Sequence, residues 1–282
     1  MTLRRNRVSA LVGTASMLAV GFSPLLLTGT AHAADANSVV WASDKGFTYD
    51  GNMGINNQLD LTLSETEEKF VFTADDSVPI VAYDDCTHPD SADLTKVVCE
   101  IPKTAPVAEV RLGNGADRVT YTNTTGAANF TEINLGVGND VYVTGRPEAN
   151  DAVVYGGEAN DDITLGTNGI AYGDHGYDTI NLVGGTAKAY GGDHNDQING
   201  GGGNDELYGD AGDDIIYGND GDDSITGGTG NDELYGGRHN DTLYGNSGDD
   251  TIFGNSGDDY ISGGAGLDTI SGGAGNNTIV DI

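Results

Sequence analysis

The sequence predicts an all-β protein: a solenoid of stacked parallel strands behind a small β-rich N-terminal unit. Three observations carry this reading. Residues 200–280 divide into nine consecutive nine-residue units. An Ile or Leu stands at the eighth position of every unit. Asp stands at the sixth position of each unit except the last, where Asn277 replaces it. A fixed period sets the architecture before single residues are weighed.

The units begin GGGGNDELY, GDAGDDIIY, GNDGDDSIT. Their first six positions are crowded with Gly, Asn and Asp. Gly meets no Cβ clash at positive φ, and Asn and Asp tolerate it, so these six residues predict a turn. The last three, such as Glu233-Leu234-Tyr235, predict a short strand whose middle side chain faces opposite to its neighbours. Such a strand needs the same strand one coil away as its partner. Two units close one flattened coil, so residues 18 apart stack in register and the eighth-position residues fill a thin core between two sheets.

The stack brings sixth-position carboxylates together, turn above turn. Two such charges ~5 Å apart repel by roughly 1 kcal/mol in water and by more in a sheltered turn. A hard cation between them relieves this. Ca²⁺ takes six to eight oxygens in irregular geometry, carboxylate and carbonyl alike, whereas Mg²⁺ demands a near-octahedral set and keeps its waters. A disordered Gly/Asp linker has no reason to hold one phase with an aliphatic residue at each eighth position.

These units resemble the RTX (hemolysin-type) calcium-binding repeats, with the pattern GGxGxDxUx. The resemblance implies a parallel β-roll, a right-handed β-solenoid, with several Ca²⁺ ions as cofactors between successive coils. It further implies side-chain oxygens from the sixth-position Asp and carbonyls from early turn residues.

Taken in order, the chain opens on a targeting segment. Arg4, Arg5 and Arg7 precede an apolar run from Val8 to Leu27, and Ala31-His32-Ala33 is a small-x-small cleavage site. Residues 1–33 therefore read as a secretory signal peptide. The net charge of −32 deepens by three when those arginines leave. Such acidity excludes phosphate-based nucleic-acid binding. No later segment is long and apolar enough to span a bilayer. The two cysteines, Cys86 and Cys99, are expected to pair in an exported chain.

Residues 34–111 lack the nine-residue phase. Short β-prone runs recur, among them Val39-Val40-Trp41, Phe47-Thr48-Tyr49 and Phe70-Val71-Phe72. Leu59 to Leu63 alternates with period two, as a half-buried strand does. This region is expected to be a disulfide-stapled β unit that caps the open end of the roll. Trp41, Phe47 and Tyr49 read as core aromatics or as a sugar-stacking face.

Residues 112–282 are expected to be the roll. Degenerate units begin at Leu112 and improve at Leu135, whereas 182–190 carries Ala187 where Asp belongs. Alternating the units between two edges gives unequal ladders of candidate calcium ligands. One edge carries Asp117, Asp140, Asp161, Asp178, Asp196, Asp214, Asp232, Asp250 and Asp268. The other is regular only from Asp205, followed by Asp223, Asp241, Asp259 and then Asn277. Ala171 and Ala189 occupy eighth positions, which predicts a thinner core there. Ninth-position aromatics align as Tyr172, Tyr190 and Tyr208 on one sheet, and as Tyr217, Tyr235 and Phe253 on the other. They read as lateral stacking or as a contact stripe. His175, His194 and His239 fall at turn positions three or four.

No HExxH or G-x-S-x-G signature is present, and the period accounts for the Gly-rich and paired-acid stretches. The expected protein is a secreted, extracellular, non-enzymatic calcium-binding β-roll whose folding Ca²⁺ drives. Its expected role is structural, adhesive or surface-interacting. The alternative is an accessory carbohydrate-binding module of a polysaccharide-active system. Expected partners are calcium ions and an extracellular polysaccharide or another protein, with no nucleic acid.

Overall fold

The computed structural model describes residues 38–43, 46–51, 54–104, 108–125, 131–149 and 151–280. The signal segment read at 1–33 lies outside the described residues. Every regular element among the described residues is a strand, and the 26 strands form two 13-stranded sheets.

The first nine strands are β1 (Ser38–Ser43), β2 (Gly46–Asp50), β3 (Gln58–Glu65), β4 (Lys69–Asp75), β5 (Ile80–Asp84), β6 (Cys86–Thr87), β7 (Lys96–Pro102), β8 (Ala108–Arg111) and β9 (Arg118–Asn123). From β8 onward, successive strands alternate between the two sheets, and each pairs in parallel with the strand one coil away. In the regular part that offset is 18 residues, as in Leu207↔Ile225 and Leu234↔Ile252. The chain is thus a parallel β-solenoid. The parallel stack continues past Leu112 toward the N-terminus, because β2 pairs in parallel with β8 and β3 with β9. Beyond these the pairing changes. β1 runs antiparallel to β2, and β4 antiparallel to β3. β5 extends the first sheet beside β1, while β7 and β6 extend the second beside β4. Both sheets therefore end, on the N-terminal side, in irregular strands rather than in another coil. Cys86 and Cys99 are bonded to one another across β6 and β7.

The strands are longer than the three residues expected from the repeat. Glu206–Ala211 and Ser224–Thr229 run from a seventh position through the third position of the next unit. The first-position Gly faces inward, and ladder pairing continues beyond it, as in Asp210↔Gly228 and Ala211↔Thr229. Gly, Asn and Asp here keep backbone pairing, so only positions four to six remain for the turn. Strands that lead into the Asp117–Asp268 edge are six residues long from Val153–Glu158 onward. Those on the opposite sheet reach six residues only from Ile215–Asp220, after shorter strands such as Asp162–Leu165, Thr179–Leu182 and Gln197–Asn199.

The core is the stack of eighth-position side chains. Ile180, Ile198, Leu207, Ile216, Ile225, Leu234, Leu243, Ile252 and Ile261 have no exposed surface. Each buried Ile or Leu contributes about 1.5–3 kcal/mol. Ala171 and Ala189 stand in the same row, fully buried, so one wall of the core is slim at those two coils. Toward the N-terminus the core widens, with Phe47, Tyr49, Leu59, Leu61, Leu63, Tyr121 and Tyr142 all buried. Trp41 is only half-buried, whereas Phe47 stacks on Phe72 inside.

Candidate metal centres

Each regular turn is built from two strained positions and one acid. The second residue takes the left-handed conformation, even where it is not Gly: φ is 72° at Asp210, 74° at Asn219 and 71° at Asn255. The fourth does the same at His194 (φ 87°) and His239 (φ 76°). Gly, Asn and Asp are selected there because they tolerate that region. The reversal then presents the sixth-position Asp to the inside of the edge.

The Asp side chains form the two ladders read from the period. On one edge, the backbone N–H of Asp117 donates to Oδ1 of Asp140 at 2.7 Å, and that of Asp140 to Asp161 at 2.8 Å. The same bond runs from Asp161 to Asp178, from Asp178 to Asp196 and from Asp196 to Asp214, each at 2.7 Å. It continues through Asp232 and Asp250 to Asp268. On the other edge, Ala187 N–H donates to Asp205 at 2.7 Å, and the ladder passes through Asp223, Asp241 and Asp259 to the side-chain oxygen of Asn277.

One oxygen of every carboxylate is thereby used, and the other is not. Oδ2 of Asp117, Asp140, Asp161, Asp178, Asp196, Asp205, Asp214, Asp223, Asp232, Asp241, Asp250, Asp259 and Asp268 is buried without a hydrogen-bond partner. Burying an unpaired carboxylate is costly. Desolvation accordingly raises the Asp161 and Asp196 carboxyls to about 8 and those of Asp140, Asp205, Asp232 and Asp241 to about 7, against the pull of the donated N–H. Asp178, Asp214 and Asp223 rise to about 6 for the same reason.

A second oxygen meets Oδ2 at the first-position Gly. A Cβ placed on Gly200 would lie 2.7 Å from the carbonyl oxygen of Gly218 and 3.1 Å from Asp205 Oδ2. The same pair, the unit's own Oδ2 and the next coil's carbonyl, surrounds Gly173, Gly209, Gly218, Gly236 and Gly245. The inward face of each such Gly is a cradle between an unpartnered carboxylate oxygen and a peptide carbonyl oxygen. Among the described residues no three His, Cys, Asp or Glu side chains converge. The oxygens that could hold a metal at such a turn are one carboxylate oxygen and a peptide carbonyl. This all-oxygen set fits a hard cation of Ca²⁺ type better than a thiophilic or imidazole-seeking metal.

The N-terminal half of the second edge is closed differently. Asp151 occupies the sixth position there, but both its oxygens are used. Oδ1 accepts from the Ala152 N–H at 2.8 Å and from the Tyr142 hydroxyl, and Oδ2 accepts from the Gly166 N–H at 2.6 Å. In the next coils Thr167 donates to the Pro147 carbonyl, and Gly185 N–H donates to Thr167 Oγ1. Hydrogen bonds thus stitch the turns that lack a free carboxylate. The histidines do not share a site: His175 pairs with Asp193 at 2.8 Å, whereas the His194 ring tilts against Tyr177.

Two features escaped the sequence reading. Fifth-position residues form a ladder of opposite sense, in which Asp213 N–H donates back to Asn195, Asn231 to Asp213 and Asp249 to Asn231. Recurrence of Asn and Asp at the fifth position was the available signal. Asp76, at the N-terminal end, accepts from Gln58 N–H, Ser77 N–H, the Ser38 hydroxyl and the Tyr49 hydroxyl. Gln58 N–H points where a preceding coil's carbonyl would be, so Asp76 plugs the end of that row. Nothing in the local sequence marks it.

Residues 190–225, 217–252 and 244–279 match the family described as RTX calcium-binding nonapeptide repeat (4 copies). No curated protein matches the chain. Residues 190–279, which carry the regular part of both carboxylate ladders, are thus RTX calcium-binding nonapeptide repeats.

Proposed function

We propose that the protein is a secreted, extracellular calcium-binding scaffold that acquires its shape when Ca²⁺ enters the turns. The observation that carries this reading is the set of buried Oδ2 atoms without donors. The thirteen ladder aspartates, from Asp117 to Asp268, would hold the ions together with first-position carbonyls. The bound ion supplies positive charge between oxygens that otherwise repel. The chain contributes the rest: Oδ1 fixes the register of adjacent coils, the inward Gly leaves room, and the eighth-position row excludes water. One edge is loaded along most of its length and the other only from Asp205. Residues 34–111 act as a cap and 112–282 as the roll, the cap lending β2 and β3 to the stack. The signal segment and the Cys86–Cys99 bond suit an exported chain. The role is structural or adhesive rather than catalytic, with charge-rich faces available to a protein or polysaccharide partner.

The deciding experiment is far-UV circular dichroism on calcium-free protein, then with added Ca²⁺, then with chelator. Strand signal should rise and fall with the ion, and a spectrum indifferent to both additions sinks the proposal.

A second reading, contact with an extracellular polysaccharide, has one supporting observation. Tyr155, Tyr172, Tyr190 and Tyr208 stack in a column, with centroids 4.8–5.0 Å apart. Beside it runs a trough of about 700 Å³ lined by Glu158, Asp174, His175 and Asp193. The rings cover one another's faces, so a sugar would meet hydroxyls and acids rather than ring faces. Retention on polysaccharide gels, lost in Tyr172→Ala with Tyr190→Ala, tests it.

A further inference from the structure

A turn outside the nine-residue phase repeats the geometry of the roll with one chemical change. Gly51 N–H donates to the Arg111 carbonyl at 2.6 Å, as Gly200 N–H does to the Tyr217 carbonyl at 2.7 Å. Gly54 N–H donates to the Asn114 carbonyl, as Gly203 N–H does to Asp220. Ala116 N–H donates to the Asn56 side-chain oxygen, which is the fifth-position bond. Asn57 N–H donates to Asp117 Oδ1 at 2.6 Å, which is the sixth-position bond. Leu59 is buried in the eighth-position row. Gly51 and residues 54–60 therefore take the places of a roll unit stretched by one residue at Ile55, with Asn57 at the place of the ladder Asp.

The change lies at the cradle. A Cβ on Gly51 would lie 2.8 Å from the Leu112 carbonyl oxygen and 3.1 Å from Asn57 Nδ2, closely matching Gly200 with Gly218 O and Asp205 Oδ2. A nitrogen stands where every ladder Asp places an unpartnered oxygen. That nitrogen donates to Asp117 Oδ1 at 3.0 Å, to the Ile55 carbonyl at 3.3 Å and to the Leu112 carbonyl at 3.4 Å. Asn57 is fully buried, and Asp76 closes the row behind it.

We propose that Asn57 is a built-in substitute for a cation: its amide closes the first turn of the roll without metal and makes the N-terminal end a preformed seed on which the metal-dependent coils are laid. This rests on the calcium reading for the later turns. In later turns two acceptors face each other and need an ion between them. In the first, one of the two has become a donor, so hydrogen bonds close the cradle without an ion, and the atom left buried without a partner on Asn57 is the uncharged amide oxygen rather than a carboxylate oxygen. The seed comprises β2, β3, β8 and β9 with the antiparallel strands that border them.

The test uses the full disulfide-bonded chain. Amide hydrogen exchange is followed by mass spectrometry in chelator and in Ca²⁺, and bound calcium is counted by equilibrium dialysis with metal analysis. In chelator, wild-type segments 46–65 and 108–123 should exchange at least about tenfold more slowly than 200–280. Asn57→Asp turns the donor into an acceptor. It should lose that protection in chelator, regain it in Ca²⁺ and bind one ion more than wild type. Asn57→Leu keeps the volume without the amide; it should lose chelator protection and gain no ion. Wild-type protein unprotected at 46–65 in chelator overturns the proposal. So does an Asn57→Asp variant with wild-type ion count and wild-type protection. A wild-type chain that binds no calcium refutes the proposed function instead. The comparison of wild type with Asn57→Leu in chelator still decides whether the Asn57 amide closes the turn.

Discussion

The backbone N–H of Asp196 donates to Oδ1 of Asp214 at 2.7 Å, and Asp214 Oδ2 is left buried without a donor. One carboxylate therefore has two duties on its two oxygens: registering a neighbouring coil and offering a ligand. The duties separate by substitution. Asp214→Asn keeps an oxygen for the Asp196 N–H and replaces the unpartnered oxygen with a donor. It is expected to bind one ion fewer while leaving the calcium-free chain at least as stable as wild type. Asp214→Ala loses both duties and is expected to weaken calcium affinity and lower stability in either state, by about 1–3 kcal/mol without metal. Isothermal titration calorimetry paired with thermal melts distinguishes the two variants.

Acid should partly replace calcium. The ladder carboxyls of Asp140, Asp161, Asp196, Asp205, Asp232 and Asp241 titrate at about 7 to 8 in the metal-free fold because burial disfavours the charge. An unfolded Asp titrates near 3.9. The folded pKa is raised, so the folded chain binds more protons across this interval. The stability they contribute is fully present below the unfolded value and is lost as pH rises through 7 to 8. Metal-free protein is expected to gain strand signal on acidification from pH ~8 toward pH ~5. Loss of strand signal over that interval would contradict the assignment.

Removing the plug should open the N-terminal end. Asp76 gathers donors from Ser38, Tyr49, Gln58 and Ser77, and it is 4% exposed. Asp76→Ala strands those donors in a buried site and should cost on the order of 3 kcal/mol or more. The melting temperature of calcium-loaded protein is the readout, and the number of bound ions should not change.

Reduction of Cys86–Cys99 should act on the same end alone. The bond ties β6 to β7 at the border of one sheet and spans a separation of 13 residues. Closing so short a loop stabilises by roughly 3 kcal/mol. Reduced protein is expected to lose protection in β4–β7 first, with calcium stoichiometry retained in 200–280. Simultaneous loss throughout the chain would show that cap and roll unfold as one unit.

The regular roll was legible because each unit states the same requirement. Asp at the sixth position and Ile or Leu at the eighth recur at a spacing that only a stack explains, and the edge assignment of every ladder Asp followed from it. Strand length was not legible. Positions one to three carry Gly, Asn and Asp, which have no side-chain preference for strands, and their pairing is a matter of backbone alone. The first coil was hidden three ways. Ile55 breaks the count, Asn57 lacks the carboxylate, and β4–β7 separate it from Leu112. Asp76 was unreadable because its donors lie at residues 38, 49, 58 and 77, which only the fold brings together.

The alternation of sheets sets a quantum of length. Removing 18 residues from the regular part deletes a coil and leaves every surviving residue on its own face. Removing nine transposes all that follows. If 209–217 are removed, Asp223, Asp241 and Asp259 continue the opposite ladder, and Tyr235 and Phe253 fall in line with Tyr190 and Tyr208. A chain built this way can lengthen or shorten by whole coils without redesign, whereas a half-coil change rewires both edges at once.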